Sequence, residues 1–364
     1  MRVGIMGGGQ LGRMMALAGR PLGLRFRFLE AKEPAPVDEL GERVHGAYDD
    51  PEALDEFAEG LDVVTYEFEN VPAASTDRLE GRVPLHPSPS ALAMAQDRLA
   101  EKEGFGTHGI PTAPYRAVDS LEELVAAVDE LGLPAILKTR RFGYDGKGQR
   151  LLQEPADLAP AFDDIGGVPL ILEGFVDFRR ELSLLSVRGR DGTCASYPLI
   201  ENVHHEGILW TSVAPAPAVD GGVQATAESY ARSVLETHDY VGVMAMELFQ
   251  TDAGLLANEM APRVHNSGHW TQDGARVSQF ENHLRAVCGF PLGSTAVRGH
   301  AAMENLLGTV PPLEQLLAIP EARVHLYEKS PRPGRKLGHV NLVGGDAQEV
   351  AEALERLKVI ARPS

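Results

Sequence analysis

Two carboxylates inside an apolar hairpin constrain this chain more than any other feature. Glu247 and Glu259 flank a turn signal at residues 251–254, within VGVMAMELFQTDAGLLANEMAPRVHNSGHW. A three-residue loop at 252–254 would pair the two acids on one sheet face, give or take a one-residue bulge. Unpaired anions in so apolar a setting are costly to desolvate. The pair therefore favours a cation such as Mg²⁺, which one or two carboxylates commonly hold together with substrate phosphates. Two solvated acids on a half-exposed hairpin are the alternative.

A dense polar run follows the second strand of this hairpin, where an active-site loop is expected. The run comprises Asn258, Arg263, His265, Asn266, Ser267, Gly268 and His269. These residues favour the interpretation as an active site over that of two solvated acids.

Composition excludes several classes of protein. The 364 residues are enough for two or three domains, and a net charge of −18 argues against nucleic-acid or anionic-membrane binding. The two cysteines have no metal-binding or redox spacing, which suits a reducing cytosol. The N-terminus runs straight into a strand, and no apolar run approaches the length of a membrane span. We therefore expect a cytoplasmic protein.

The first part of the chain alternates strands and helices, which predicts a doubly wound α/β unit. Gly7, Gly9 and Gly12 satisfy G-x-G-x-x-G after a strand, and Glu30 lies near the distance of a ribose-binding acid. A nicotinamide-dependent dehydrogenase is therefore one hypothesis, although the same glycines can simply permit a tight strand-to-helix turn. The polar cluster at 66–70 ends a strand, where open α/β sheets bind ligands; a solvated loop is the alternative.

A glycine-rich basic loop follows a strand that ends in Lys138, downstream of a helix predicted over 91–105. The loop, TRRFGYDGKGQ at 139–149, combines exposed backbone N–H groups with positive charge and can close over a polyphosphate. Its spacing is not that of a Walker A loop. A mobile basic hairpin tip is the alternative, although a strand lysine needs an anionic partner or an exit to solvent.

Two further segments offer ligand contacts. The apolar strand at 169–173 runs into a linker, which with the later Glu181 makes a plausible adenine and ribose slot. The segment 329–336 carries four cations and no acid, and its prolines and glycine fix the loop. A preorganised anion site is credible there, with a solvated turn as the alternative.

These features together resemble a known family. The strand lysine, glycine-rich loop, linker and paired acids are similar to the ATP-grasp fold. The runs GGGQLGRM, YEFENVP, RRFGYDGKGQ, NEMAPRVHNSGHWTQDG and RPGRKLGHVN resemble the N5-carboxyaminoimidazole ribonucleotide synthetases of purine biosynthesis, over nearly the whole chain. The resemblance implies a mixed α/β and α+β architecture. It comprises a Rossmann-like domain at 1–95, an ATP-grasp domain at 96–295 with a small lid at about 112–176, and a C-terminal domain at 296–364 that completes the substrate site.

The resemblance also implies a reaction. ATP phosphorylates bicarbonate to carboxyphosphate, and the exocyclic amine of 5-aminoimidazole ribonucleotide then takes the carboxyl group to form a carbamate. ADP and phosphate are released on the route to IMP. The cofactors would be ATP and Mg²⁺, with Mn²⁺ as a substitute, and a homodimer is expected.

Site residues follow from the same resemblance. The metal would be held by Glu247 and Glu259. ATP would be held by Arg98, Lys138, Gly143, Tyr144, Asp145, Gly146, Lys147, Gly148, Gln149, Glu173, Gly174, Phe175, Val176, Glu181, His204, Asn258 and Glu259. Bicarbonate would be held by Arg263, His265 and Asn266. The ribonucleotide would be held by Asp145, Lys147, Lys329, Arg335 and Lys336, with Asp145 engaging its amine. Many relatives are expected to carry arginine where this chain has Lys147, and lysine lacks bidentate phosphate geometry.

Three alternatives stay open at this point. The first is another ATP-grasp ligase or carboxylase, using formate or biotin. The second is the dehydrogenase suggested by the glycine motif. The third is a nucleotide-binding regulator without turnover.

Overall fold

The N-terminal part forms a parallel sheet flanked by helices, as predicted from the alternation of strands and helices. Residues 1–143 and 146–362 are described in this computed structural model. The strands lie in the order β3-β2-β1-β4 and run parallel. Its elements are β1 (Arg2–Met6), α1 (Gln10–Gly19), β2 (Arg25–Leu29), β3 (Glu42–Val44), α2 (Pro51–Ala58), β4 (Val63–Tyr66), α3 (Ala73–Leu79) and α4 (Pro89–Ala95). The loops after β1 and β4 open on the same edge of the sheet, because parallel strands share a carboxyl edge.

A small antiparallel sheet, here called the lid sheet, follows in the order β5-β8-β6-β7. Leu124 and Leu158 on its helices pack against Leu137 and Leu172 on its strands. Its elements, with the helix that precedes them, are α5 (Arg98–Thr107), β5 (Tyr115–Val118), α6 (Leu121–Leu131), β6 (Ala135–Thr139), β7 (Gln149–Leu152), α7 (Leu158–Ile165) and β8 (Leu170–Gly174).

The helix predicted over 91–105 is wrong as a single helix, because the chain breaks between α4 and α5. Asp97 has extended backbone angles and accepts the backbone N–H of Leu99, which makes it the N-cap of α5. The same carboxylate receives two hydrogen bonds from Arg140, at 2.9 and 2.8 Å. The break therefore ties α5 to the segment that follows the strand lysine.

The rest of the chain builds one nine-stranded sheet, here called the main sheet, in the order β14-β13-β9-β11-β12-β15-β17-β16, with β10 paired to β9. Strand β12 pairs antiparallel with β15, so the sheet runs without interruption from the predicted ATP-grasp domain into residues 296–362. Its elements are β9 (Arg180–Arg188), β10 (Cys194–Ser196), β11 (Ile200–His205), β12 (Ile208–Ala214), α8 (Gly221–Thr237), β13 (Gly242–Thr251), β14 (Gly254–Ala261), α9 (Thr271–Gly274), α10 (Gln279–Val287), β15 (His300–Leu307), α11 (Leu313–Leu317), β16 (Ala322–Leu326), β17 (Lys336–Gly344) and α12 (Ala347–Ala361). Short 3-10 turns occupy Arg20–Leu22, Pro155–Asp157 and Asn266–Gly268.

The β13–β14 hairpin pairs the two acids, but through a different turn from the predicted one. Thr251 pairs directly with Gly254, so the loop has two residues and not three. A bulge after Glu247 then restores the pairing of Glu247 with Glu259. The expected pairing and the allowed bulge are both present, whereas the three-residue loop is wrong. In the part of the chain that the structure describes, no helix is both long and apolar enough to traverse a bilayer.

Candidate active site

The paired acids occupy different electrostatic environments. Glu259 accepts a hydrogen bond from Arg98 Nη1 at 2.7 Å, whereas Glu247 lies 3.3 Å from His265 Nε2. Burial and the neighbouring Glu259 charge raise the pKa of Glu247. Burial opposes ionisation of Glu259 as well, but Arg98 outweighs it and holds the pKa of that carboxyl low. One acid is thus kept ionised beside a partner that resists ionisation, and a cation between them would relieve the repulsion.

The oxygen donors at this pair fit a hard divalent cation. Among residues 1–143 and 146–362, no group of three His, Cys, Asp or Glu side chains is placed to hold a metal. Two carboxylates would leave the other positions of an octahedral Mg²⁺ to water and ligand phosphates, its usual arrangement. The buried side-chain oxygen of Asn258, next to Glu259, has no hydrogen-bond partner among the described residues. An oxygen-bound Mg²⁺ or Mn²⁺ therefore suits these residues.

A cavity of about 360 Å³ separates the lid sheet from the main sheet. Phe178 and Phe249 stack at 4.8 Å on its main-sheet side, and His204 Nδ1 lies 2.7 Å from Glu181 Oε2. The volume is within the range of small-molecule sites. The lining combines lid and main-sheet residues: Arg98, Ile136, Lys138, Gly146, Lys147, Gln149, Phe178, Glu181, His204, Gly207, Leu209, Glu247, Phe249, Asn258, Glu259, His265, Asn266 and Lys336.

The glycine-rich loop meets the main sheet at the mouth of this cavity. Gly146 has φ +74°, and a Cβ there would come within 2.5 Å of the Glu206 carbonyl oxygen. Gly148 has φ +70°, and a Cβ would lie 2.7 Å from Thr139 Oγ1. Both positions therefore require glycine. The predicted contacts of Tyr144 and Asp145 fall outside the described residues.

Lys138, the lysine within a strand, has the anionic partner that such a position needs. Lys138 Nζ lies 3.0 Å from Glu173 Oε2, and Lys102 Nζ approaches the same oxygen at 3.3 Å. Burial opposes ionisation of Glu173, yet the two lysines lower its pKa to about 2. The adjoining linker residues Gly174, Phe175 and Val176 are not part of the cavity lining in the described chain, and neither is Glu173. The sequence did not single out Lys102 as a site residue, because its partners are distant in the chain.

A second cavity, of about 590 Å³, lies between the N-terminal sheet and the basic segment. Burial first, and then nearby cations, lower the pKa of Lys329 to about 8, and its amine contacts the Gln10 side chain. Lys32 and Gln10 line this second cavity and were not predicted as site residues. The polar cluster at 66–70, which contributes Glu67 to Asn70 to the lining, was predicted as a ligand-binding segment. The lining includes Gln10, Leu11, Lys32, Glu67, Phe68, Glu69, Asn70, Gly143, Lys147, Ile208, Glu259, Arg263, His265, Asn266, Lys329, Arg332, Pro333, Gly334, Arg335 and Lys336. Such a concentration of cations suits a phosphate group.

The polar run after β14 lies where the two cavities meet, and His265 and Asn266 line both. Burial, reinforced by Arg263, lowers the pKa of His265 to about 3, so its ring is neutral. Arg263 is ion-paired with Glu69. Both amide atoms of Asn266 are buried and lack a hydrogen-bond partner in the described part of the chain. Unsatisfied buried amide atoms indicate a missing polar ligand.

The glycine motif of the first loop does not leave room for a dinucleotide. The Glu67 carboxylate accepts the backbone N–H of Leu11 at 3.2 Å, at the start of α1. A Cβ at Gly7 would lie 2.7 Å from that carboxylate. Glu30 already accepts the backbone N–H of Gly8 at 3.1 Å and the Tyr48 hydroxyl at 3.1 Å. The positions for a pyrophosphate and a ribose are therefore occupied by the protein's own groups, which argues against the dehydrogenase.

Three family descriptions match successive parts of the chain. The ribonucleotide synthetase preATP-grasp domain matches residues 1–96, and the ATP-grasp domain matches residues 103–280. The phosphoribosylaminoimidazole carboxylase C-terminal domain matches residues 301–353.

Similar proteins cover almost the whole chain. The N5-carboxyaminoimidazole ribonucleotide synthase of Pseudomonas aeruginosa is 52% identical over 94% of each chain. The crystal structure of N5-carboxyaminoimidazole ribonucleotide synthetase from Thermus thermophilus matches with a TM-score of 0.95 and 54% identity, over 100% of this chain and 99% of the other. The Aspergillus clavatus enzyme, solved with ADP and 5-aminoimidazole ribonucleotide, matches with a TM-score of 0.92 and 31% identity, over 100% and 99%. These matches confirm the predicted fold. The chain belongs to the N5-carboxyaminoimidazole ribonucleotide synthase family of ATP-grasp ligases.

Proposed function

We propose that this chain is an ATP-dependent ligase that carboxylates the exocyclic amine of 5-aminoimidazole ribonucleotide with bicarbonate. The supporting observation is a pair of adjoining cavities that share His265 and Asn266, together with Glu259, Lys147 and Lys336. The first is lined by both acids and the lid sheet, and the second carries most of the cations. ATP binds in the first cavity and the ribonucleotide in the second. Carboxyphosphate formed at the junction reaches the amine without crossing bulk water.

ATP is positioned between the lid sheet and the main sheet. Lys138 and the glycine-rich loop at 143–149 hold its phosphates, and Glu181 with His204 lies where the ribose is placed. Glu247 and Glu259 would hold Mg²⁺, which would neutralise charge on the phosphates during transfer. Arg98, hydrogen-bonded to Glu259, keeps that carboxylate ionised. Phosphoryl transfer depends mainly on such positioning and electrostatics.

Bicarbonate is held at the junction by Arg263, His265 and Asn266. The neutral ring of His265 can accept or donate a hydrogen bond without adding charge, and the unpartnered amide of Asn266 supplies one donor and one acceptor. Arg263 supplies the cation, which Glu69 holds in place. These three groups orient one oxygen of bicarbonate towards the γ-phosphate.

The ribonucleotide phosphate binds to Lys329, Arg335 and Lys336, and Lys147 adds a further cation to the same cavity. Omission assays test the whole reaction: ADP release is measured with ATP, bicarbonate and aminoimidazole ribonucleotide, leaving out each in turn. Full turnover is expected only with all three present, and formate is not expected to replace bicarbonate. Equal turnover with formate would assign the chain to a different ATP-grasp ligase. ADP release in the absence of both bicarbonate and formate would mean that the chain is a nucleotidase.

A further inference from the structure

Strand β14 is the outer strand of the β13–β14 hairpin, and side chains from helix α5 hold its bulge. Strand β14 lies at the end of the main sheet, where it pairs with β13 and makes one isolated parallel bridge, between Ala257 and Thr112. Three consecutive residues at the bulge are each held by a side chain from α5. These contacts are Lys102 Nζ to the Asn258 carbonyl at 2.8 Å, Arg98 Nη1 to Glu259 Oε2 at 2.7 Å, and the Met260 N–H to Glu101 Oε1 at 2.6 Å. Arg98, Glu101 and Lys102 are spaced i, i+3 and i+4, so they share one face of α5.

The bulge determines where Glu259 points. The pairing that begins at Thr251 and Gly254 continues without a shift to Leu248 and Ala257. Continued without a bulge, it would place Asn258 opposite Glu247. Glu259 would then face the other side of the sheet, because a shift of one residue inverts every side chain. The bulge therefore brings the second acid to the first.

The two side chains that hydrogen-bond to the bulge backbone are both buried. Glu101 is 2% exposed and Lys102 is 1% exposed. A buried lysine needs partners, and Lys102 has the Asn258 carbonyl and the carboxylate of Glu173 on strand β8. Lys102 thus joins the bulge to the lid sheet, where Glu173 also binds Lys138.

We propose that Glu101 and Lys102 are positioning residues that hold the β14 bulge so that Glu259 faces the metal of the bound nucleotide. They act through Asn258, Glu259 and Met260, and neither of them is among the described residues that line the first cavity. The metal role of Glu259 belongs to the proposed function, and this inference rests on it. The backbone contacts themselves exist in the free protein, so they can be tested separately.

The test compares Glu101→Leu and Lys102→Met with the conservative variants Glu101→Gln and Lys102→Arg. Glu103→Gln, on an exposed position of the same helix, is the control. Calorimetry measures ADP binding as Mg²⁺ is varied, and aminoimidazole ribonucleotide binding is measured in parallel. Hydrogen exchange of the 255–262 peptide in the free proteins reports the bulge directly.

The two disruptive variants are expected to raise the Mg²⁺ concentration for half-maximal ADP binding by about 10-fold or more, as when groups supporting metal ligands are removed. Their bulge peptide should exchange faster, and ribonucleotide binding should weaken much less than Mg²⁺-dependent ADP binding, because the cations of the second cavity are unchanged. Glu101→Gln retains an acceptor for the Met260 N–H and should restore most of the Mg²⁺ dependence.

An unchanged Mg²⁺ dependence in both disruptive variants would overturn the proposal, and so would an equal loss of ribonucleotide binding. If one disruptive variant does not fold, the other decides the question by comparison with its own conservative variant, which should stay close to the wild type. Wild-type ADP binding that ignored Mg²⁺ would instead refute the metal role in the proposed function. In that case, faster exchange of the bulge peptide would still support the contacts to Glu101 and Lys102.

Discussion

At the scale of single residues, Glu259 is expected to be indispensable to turnover. Glu259→Gln removes one anion from the pair and leaves Arg98 with only a neutral acceptor. We predict that ADP formation falls by at least about 100-fold, the scale seen when one preorganised electrostatic group is lost. Asp252→Asn, an exposed acid at the tip of the same hairpin, is the control and should leave turnover unchanged. Near-normal turnover of Glu259→Gln in steady-state assays would refute the metal role.

Lys329 should make ribonucleotide capture dependent on pH. Burial and neighbouring cations lower its pKa from 10.5 to about 8, so its charge is present below pH 8 and lost above it. Because a phosphate needs that charge, kcat/KM for the ribonucleotide is expected to fall as pH rises through 8. Lys329→Arg keeps the charge to high pH and should remove this inflection. An unchanged inflection in the arginine variant would assign it to another group.

At the scale of elements, the sequence predicted the structural features that depend on residues close together in the chain. The turn residues and the apolar pattern around Glu247 and Glu259 are local, and the two acids do pair. The two-residue loop was not predicted. The sequence allowed for a one-residue bulge but could not locate it, because its position depends on contacts from α5 to residues far along the chain, such as Lys102 to Asn258. The same reason explains Glu67, whose carboxylate fills the glycine loop from a different strand end. The glycine motif was identified correctly, but whether it can bind a dinucleotide depends on tertiary contacts.

The end of α12 is held to the main sheet by an ion pair between the partly exposed Arg362 and the buried Glu304. Arg362 donates from Nη2 to Glu304 Oε2 at 3.0 Å and to Thr211 Oγ1 at 2.7 Å, and the Glu304 side chain is fully buried. Arg362→Met would leave that carboxylate unpaired, so we predict a loss of about 3 kcal/mol in the free energy of unfolding.

The matched control is Arg356→Met on the same helix. Arg356 is half-exposed and meets Glu321 at 3.3 Å, so its removal should cost less than about 1 kcal/mol. Urea unfolding of both variants measures the difference. Equal losses would mean that the Glu304 pair contributes no more than a surface contact.

At the scale of the whole molecule, the main sheet connects the two cavities. Strands β9 to β14 carry the nucleotide side, and β15 to β17 continue the same sheet towards the basic segment. The N-terminal sheet contributes the Glu67–Asn70 face of the second cavity. A ligand in the first cavity touches both the lid sheet and the main sheet, so it should stabilise the folded chain as a whole.

That arrangement distinguishes the ligase from the dehydrogenase in one measurement. ADP with Mg²⁺ at about 100 times its Kd should stabilise the native state by about 2.7 kcal/mol and raise the Tm. NADH at the same concentration should leave the Tm unchanged, because Glu67 and Glu30 already satisfy the groups that a dinucleotide would need. Glu259→Gln serves as the control, since its Tm should rise less with Mg²⁺ and ADP than that of the wild type. A Tm increase with NADH as large as that with ADP would show that the Glu67 carboxylate leaves the glycine loop in solution, and the nucleotide site would then have to be sought at the N-terminal sheet.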